Sequence, residues 1–141
     1  MQRLLLFAWL VIFAPGAGAA NEAKPSTPEM KEKLHTVIRG QLAAFRKDDF
    51  AAAYKFAAAG IRDQFPLAAF EAMVKTSYPE IAKNTDAVFG LTLDDGEKAV
   101  VNVRVVGAKE ESVSYQYLLE KDGDEWRIGG VFKLRDEGKA I

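Results

Sequence analysis

Residues 98–134 read KAVVNVRVVGAKEESVSYQYLLEKDGDEWRIGGVFKL, and apolar and polar side chains alternate along them with a period of two. In the first run, Val101 and Val103 fall on one face, while Asn102 and Arg104 fall on the other. This alternation is typical of antiparallel strands that bury one face and expose the other. The segment therefore predicts three strands joined by turns, at about 98–106, 112–120 and 126–134.

The apolar face of the last two predicted strands is rich in aromatic residues. A strict period of two places the following residues on it: Val113, Tyr115, Tyr117, Leu119, Trp126, Ile128, Gly130, Phe132 and Leu134. A further strand is predicted at 87–93, because the turn Asp94–Gly96 follows it. The acidic turns at 94–96 and 122–124 lack the ligand spacing of a calcium loop, so they are interpreted as hairpin turns.

Upstream of residue 84 the apolar period is 3.6, which predicts amphipathic helices. Thr27 is a suitable N-cap for the first of them, and Pro28 suits its first position. Three helices are predicted, at about 28–47, at about 50–59 between an Asp48 or Asp49 N-cap and Gly60, and from Leu67 to a stop at Ser77–Pro79.

Helices followed by strands indicate an α+β fold. We expect three N-terminal helices packed on a curved antiparallel sheet of about four strands, in a single domain over residues 28–141. Residues 20–27 contain small and polar side chains around Pro25 and are predicted to be a flexible leader.

The first nineteen residues, MQRLLLFAWLVIFAPGAGA, predict the compartment. A basic residue, a short apolar run, a Pro-Gly break and small residues before Ala20 are the order of a secretory signal peptide. The apolar run is shorter than the roughly 20 residues that a membrane span needs. We therefore expect cleavage near Ala19 and a periplasmic or secreted protein, with an uncleaved interfacial anchor as the alternative. No transmembrane segment is predicted in the mature chain.

Composition excludes several classes of function. The chain has no cysteine, so thiol catalysis, thiolate metal sites and lipoprotein modification are excluded. Its formal net charge is −1 and no basic block occurs, so nucleic acid is not an expected partner. Phosphate-loop, dinucleotide, zinc-protease and serine-hydrolase motifs are lacking. His35 is the only histidine. We predict no catalytic residue, no metal site and no cofactor.

Two parts of the sequence resemble known families. GDEWRIGGVFKL is similar to the closing hairpin of the nuclear transport factor two-like (cystatin-like α+β) superfamily. QLAAFRKDDFAAAYKFAAAGIRDQFP and FEAMVKTSYP resemble domain-of-unknown-function family 4864, apart from the FPLAAF segment, where a Ser or Asp cap is expected after the proline. The resemblance implies a cone with a pocket between the helices and the sheet. It implies no activity, although the superfamily includes ketosteroid isomerases.

A pocket of this kind would be lined by aromatic residues and a few polar groups, as small-molecule sites are. The candidate ligand-binding residues are Gln41, Tyr54, Arg62, Tyr78, Tyr117 and Trp126. These residues also have structural interpretations. The amide of Gln41 would then hydrogen-bond to a buried backbone group that otherwise lacks a partner. Tyr54 and Tyr117 would be core aromatics whose hydroxyls reach the surface, and Arg62 would pair with a nearby acid or cap the second helix.

These features favour an exported domain that binds a small molecule or an envelope protein through the pocket without catalysis. The first alternative is an isomerase- or hydrolase-like enzyme that uses a pocket tyrosine and a carboxylate. The second is a dimerisation module that uses the exposed face of the sheet. Because that face is predicted to be polar, such a homodimer would be weak.

Overall fold

The computed structural model describes residues 22–134. The predicted signal peptide, residues 1–19, lies outside the described residues, as do residues 135–141. The helices are α1 (Pro28–Arg46), α2 (Phe50–Tyr54), α3 (Ala59–Gln64), α4 (Leu67–Ser77) and α5 (Pro79–Ala82). The strands are β1 (Lys24–Pro25), β2 (Asp86–Asp94), β3 (Lys98–Val106), β4 (Ser112–Asp122) and β5 (Glu125–Lys133).

The strands form one antiparallel sheet in the order β1-β2-β3-β4-β5. The hairpins that precede β3 and β5 turn through Gly96 and Gly123, whose φ angles of 95° and 67° suit glycine. The helices pack on one face of this sheet, so the α+β class is confirmed. The described part of the chain has five helices and five strands, where the sequence predicts three and about four.

A bulge in β5 changes which side chains face the helices. Leu119 pairs with Ile128 but Leu118 pairs with Gly130, so Gly129 is left as an extra residue. The extra residue reverses the alternation, as β-bulges do. Val131 therefore shares a face with Tyr117, and Phe132 shares the opposite face with Gln116. The strict period-two prediction is wrong for Phe132 and Leu134, whose side chains lie on the outward face, and for Gly130, where a side chain would point toward Phe132 and only the backbone reaches the inner face.

Helix α1 supplies the largest part of the helical layer. The hydroxyl oxygen of Thr27 accepts a hydrogen bond from the backbone N–H of Met30 at 3.1 Å, which confirms the predicted N-cap. Leu34, Ile38 and Leu42 on its inner face are at most 1% exposed and join the core with the buried face of the sheet. No helix in residues 22–134 is long and apolar enough to cross a membrane.

Helix α2 ends earlier than predicted because the chain after it joins the sheet. The N–H of Ala58 donates to the carbonyl of Ile128 at 2.8 Å, and the N–H of Ile128 donates to the carbonyl of Phe56, also at 2.8 Å. These bonds pair the outer edge of β5, whose backbone groups would otherwise lack partners. The predicted second helix is therefore divided, and α3 occupies most of the stretch between Gly60 and Leu67, where the sequence predicts no helix.

Part of the predicted leader belongs to the fold. Lys24 and Pro25 pair with Asp94 and Leu93 of β2, and the N–H of Ser26 donates to the carbonyl of Thr92 at 3.0 Å. Ser26 is only 8% exposed, and its hydroxyl donates to the carboxylate of Asp94. The chain is thus anchored to the sheet before α1 begins.

Candidate ligand-binding cavity

A narrow cavity lies between the helical layer and the β4–β5 half of the sheet. About 60 Å³ of it is open to the centre of a water molecule. That is several times the volume that one water needs. Its lining is almost entirely apolar and comes from α1, α3, α4, α5, β4, β5 and the segments between helices: Gln41, Phe45, Ala57, Ile61, Phe70, Met73, Val74, Tyr78, Ile81, Tyr117, Ile128, Gly130 and Val131.

Gln41 lies on the buried face of α1, where it is 4% exposed. Its amide nitrogen donates to the carbonyl of Ala53 at 3.1 Å, which links α1 to α2. This bond is the structural role that a buried amide is expected to have. Gln41 also lines the cavity, so the two interpretations of this residue are compatible.

Tyr78 lies between α4 and α5 because α4 ends there and Pro79 begins the next helix. Its hydroxyl donates to the carbonyl of Val131 in β5 at 2.9 Å. This bond holds the helical layer against the part of β5 that follows the bulge. Burial raises the pKa of Tyr78, so the phenol stays protonated and remains a donor.

Tyr117 projects from the middle of β4 and is fully buried. Its hydroxyl oxygen is buried and has no hydrogen-bond partner among residues 22–134. Burial, and secondarily the negative charge that Tyr78 would carry if ionised, raise the pKa of Tyr117. The group is therefore a neutral phenol whose proton has no protein acceptor. A buried hydroxyl without a partner is costly, which makes it the most unusual polar group at the cavity.

A second tyrosine on β4 has a carboxylate partner. The hydroxyl of Tyr115 donates to Oε1 of Glu80 at 2.8 Å, and its ring lies 5.9 Å from that of Tyr78. Burial and the bond to Glu80 raise the pKa of Tyr115. Neither residue lines the cavity; Glu80 instead borders an open polar groove beside Lys83 and Lys109.

Three of the predicted site residues lie away from the cavity. The hydroxyl of Tyr54 donates to the carbonyl of Phe65 at 2.6 Å and lies 3.1 Å from that of Arg62, so it closes the end of α3. The Arg62 side chain is exposed. Trp126 is 4% exposed and packs beside Val37 and Phe56, under a separate shallow groove.

His35 is also remote from the cavity. Its Nε2 lies 2.9 Å from the hydroxyl oxygen of Thr92, and its ring stacks on Phe89 with the centroids 4.3 Å apart. Desolvation, followed by the positive charge of Arg39, lowers the pKa of His35. These contacts join α1 to β2, and they account for the position of His35 without a functional role.

The structure thus brings Gln41, Tyr78 and Tyr117 together at one cavity. Sequence reasoning missed the contribution of Val131, because strict alternation places it on the other face of the sheet. The adjacent glycines Gly129 and Gly130 were the available signal, since glycine inside a strand often marks a bulge.

Comparison with curated proteins and with solved structures gave no match. Comparison with protein families matches residues 27–141 to the family described as "Domain of unknown function (DUF4864)". The match includes helices α1 to α5, strands β2 to β5 and all the residues that line the cavity. The chain therefore belongs to the DUF4864 family.

Proposed function

We propose that the protein is an exported domain that binds a small molecule in the cavity between its helices and its sheet. The observation that carries this proposal is the cavity between the two layers, whose lining is almost entirely apolar and includes the polar residues Gln41, Tyr78 and Tyr117. Small-molecule sites typically combine an apolar lining with a few polar groups that orient the ligand.

The same proposal places the fold in the nuclear transport factor two-like superfamily. Its support is the arrangement of N-terminal helices over one face of a bulged antiparallel sheet, with a cavity between the two layers. The hairpin with the sequence GDEWRI, which resembles the closing hairpin of that superfamily, leads into β5.

Binding is better supported than an enzyme that uses a tyrosine and a carboxylate. Among the described residues, the hydroxyls of Tyr54 and Tyr78 bond to backbone carbonyls, and that of Tyr117 bonds to no group. The phenol that does contact a carboxylate, Tyr115, does not line the cavity. An acid–base pair acting on a bound molecule would have to reach into the cavity.

Filling the cavity is expected to abolish binding. A molecule present at 100 times its dissociation constant stabilises a protein by about 2.7 kcal/mol, so a thermal-shift screen of small metabolites can find binders. Val131→Phe should remove the shift, because the larger ring would occupy the cavity. Val88→Phe is the matched control, because Val88 is 49% exposed on the outward sheet face. Equal shifts in both variants would contradict binding in this cavity.

Export is expected to remove residues 1–19. When the full chain is expressed in a bacterial host, the protein in the periplasmic fraction or the medium should begin at Ala20, as measured by intact mass and N-terminal sequencing. Leu10→Arg interrupts the apolar run and should leave the uncleaved chain inside the cell. An uncleaved wild-type chain in the membrane fraction would instead favour an interfacial anchor.

A further inference from the structure

The lining of the cavity favours apolar contact over hydrogen bonding. The amide of Gln41 already donates to the carbonyl of Ala53. The hydroxyl of Tyr78 already donates to the carbonyl of Val131, and the hydroxyl oxygen of Tyr117 is itself covered by protein atoms. The other residues of the lining are apolar. A molecule in the cavity is therefore held mainly by apolar contact and by its fit to the shape of the cavity.

Two hydrogen bonds limit the width of the cavity, because they tie the helical side to β5 at both ends of the β5 wall. At one end, the N–H of Ala58 donates to the carbonyl of Ile128 at 2.8 Å. At the other, the hydroxyl of Tyr78 donates to the carbonyl of Val131 at 2.9 Å. The β5 residues that line the cavity are Ile128, Gly130 and Val131, so they lie within this short stretch. The layers cannot separate there unless one of the two bonds breaks, which leaves polar groups without partners.

The volume of the cavity limits the length of a bound chain. About 60 Å³ is open to the centre of a water molecule. One water needs about 10–15 Å³ of such volume, so about four to six waters would fit. A methylene group takes up about as much space as a water molecule, so the cavity can hold about four to six carbons of an alkyl chain. Ile61, Met73 and Val131 are the partly exposed residues of the lining, which places the mouth between α3, α4 and β5.

We propose that the cavity takes up an unbranched alkyl chain of about four to six carbons, from an aliphatic molecule whose polar end stays in water at the mouth. This inference rests on the proposed binding function and adds the chemical class of the ligand. An unbranched chain fits between the two tied ends of the cavity, whereas a branched group would push the layers apart. Tyr78 is a positioning residue, since its bond to Val131 keeps the cavity narrow.

The first test measures how binding to the wild-type protein depends on chain length. The straight-chain alcohols from 1-propanol to 1-octanol are titrated in turn, and binding is followed through the amide NMR signals of Ile128 and Val131. The affinity should rise about fourfold with each methylene up to about six carbons, because each one is buried in the cavity. Further methylenes stay in water, so 1-octanol should bind within about twofold of 1-hexanol. A rise that continues undiminished to 1-octanol would overturn the proposal.

The second test uses 3,3-dimethyl-1-butanol, a branched isomer of 1-hexanol. It should bind the wild type at least about tenfold more weakly than 1-hexanol, because its branched end is too wide for the cavity. Tyr78→Phe removes the bond to Val131 and should reduce this ratio to less than about threefold. Tyr54→Phe is the matched control, because it also removes a bond from a tyrosine to a backbone carbonyl, but away from the cavity. It should leave the ratio unchanged.

The ratio of the two affinities distinguishes a positioning role from a merely structural one. Both Tyr→Phe variants are expected to lower stability, and a general loss of structure would weaken the two isomers by the same factor. That result for Tyr78→Phe would show that its bond to Val131 does not set the selection. Equal binding of the two isomers to the wild type would overturn selection for an unbranched chain. The wild-type comparisons remain decisive even if Tyr78→Phe does not fold.

Failure of this inference can be told apart from failure of the proposed function. If a molecule found by thermal shift loses its effect in Val131→Phe while none of the alcohols binds, the cavity has a ligand of another class and only this inference fails. If the alcohols bind Val131→Phe as tightly as the wild type, they do not occupy the cavity, and the inference is again wrong.

Discussion

Replacing Trp126 with alanine is expected to lower the free energy of unfolding by about 3–5 kcal/mol. Trp126 is 4% exposed, and its indole packs in the core beneath α1. Alanine would leave a cavity as well as remove apolar contact, and both terms destabilise the folded state. Urea unfolding followed by circular dichroism measures the change as a lower transition midpoint at an unchanged slope.

Phe132→Ala is the matched control on the same strand. Without the bulge at Gly129, Phe132 would face the core as Trp126 does, and the two substitutions would have similar costs. The register places Phe132 on the outward face, where it is half-buried, so the expected loss is about 1 kcal/mol. Equal losses for the two variants would contradict the bulge. A loss below about 1 kcal/mol for Trp126→Ala would show that this residue is not in the core.

Replacing Asn84 with alanine is expected to cost about 2–3 kcal/mol, although the side chain contributes little apolar area. Asn84 is 3% exposed and follows α5. Its amide nitrogen donates to the carbonyls of Leu42 at 3.0 Å and Ile81 at 2.8 Å, and its oxygen accepts from Arg46. One side chain thus joins the last turns of α1 and α5. Its loss would remove three hydrogen bonds from a buried position, as urea unfolding would measure.

Two further variants test this interpretation. Asn102→Ala makes the same change on the outward face of β3, where the residue is half-buried and its oxygen lies 3.5 Å from the amide nitrogen of Gln116. It should cost no more than about 0.5 kcal/mol. Asn84→Asp keeps the shape but turns an oxygen toward the two carbonyls, so it should destabilise at neutral pH at least as much as alanine. If Asn84→Asp is as stable as the wild type, the two donated bonds do not hold these helices together.

The candidate site was partly predictable because its polar residues interrupt apolar patterns. Gln41 lies within the apolar face of α1, and Tyr117 lies on the apolar side of β4; both expectations follow from spacing alone. Tyr54 and Arg62 were indistinguishable from them in sequence. In the structure, the hydroxyl of Tyr54 is directed away from the cavity and donates to the carbonyl of Phe65 at 2.6 Å. The local sequence around a side chain does not indicate which backbone carbonyl of another element will accept its hydrogen bond.

The sequence alone was sufficient to predict the α+β class, the N-cap of α1 at Thr27 and the bounds of β3. These features follow from periodicity, capping residues and turn residues, which depend on near neighbours in the chain. Three features depended on tertiary structure. The early end of α2 is set by pairing with the edge of β5, the face of Val131 by the bulge at Gly129, and the burial of the Tyr117 hydroxyl by the helical layer over the sheet. Each arises from contacts between residues distant in sequence, whose hydrogen bonds and packing outweigh local preference.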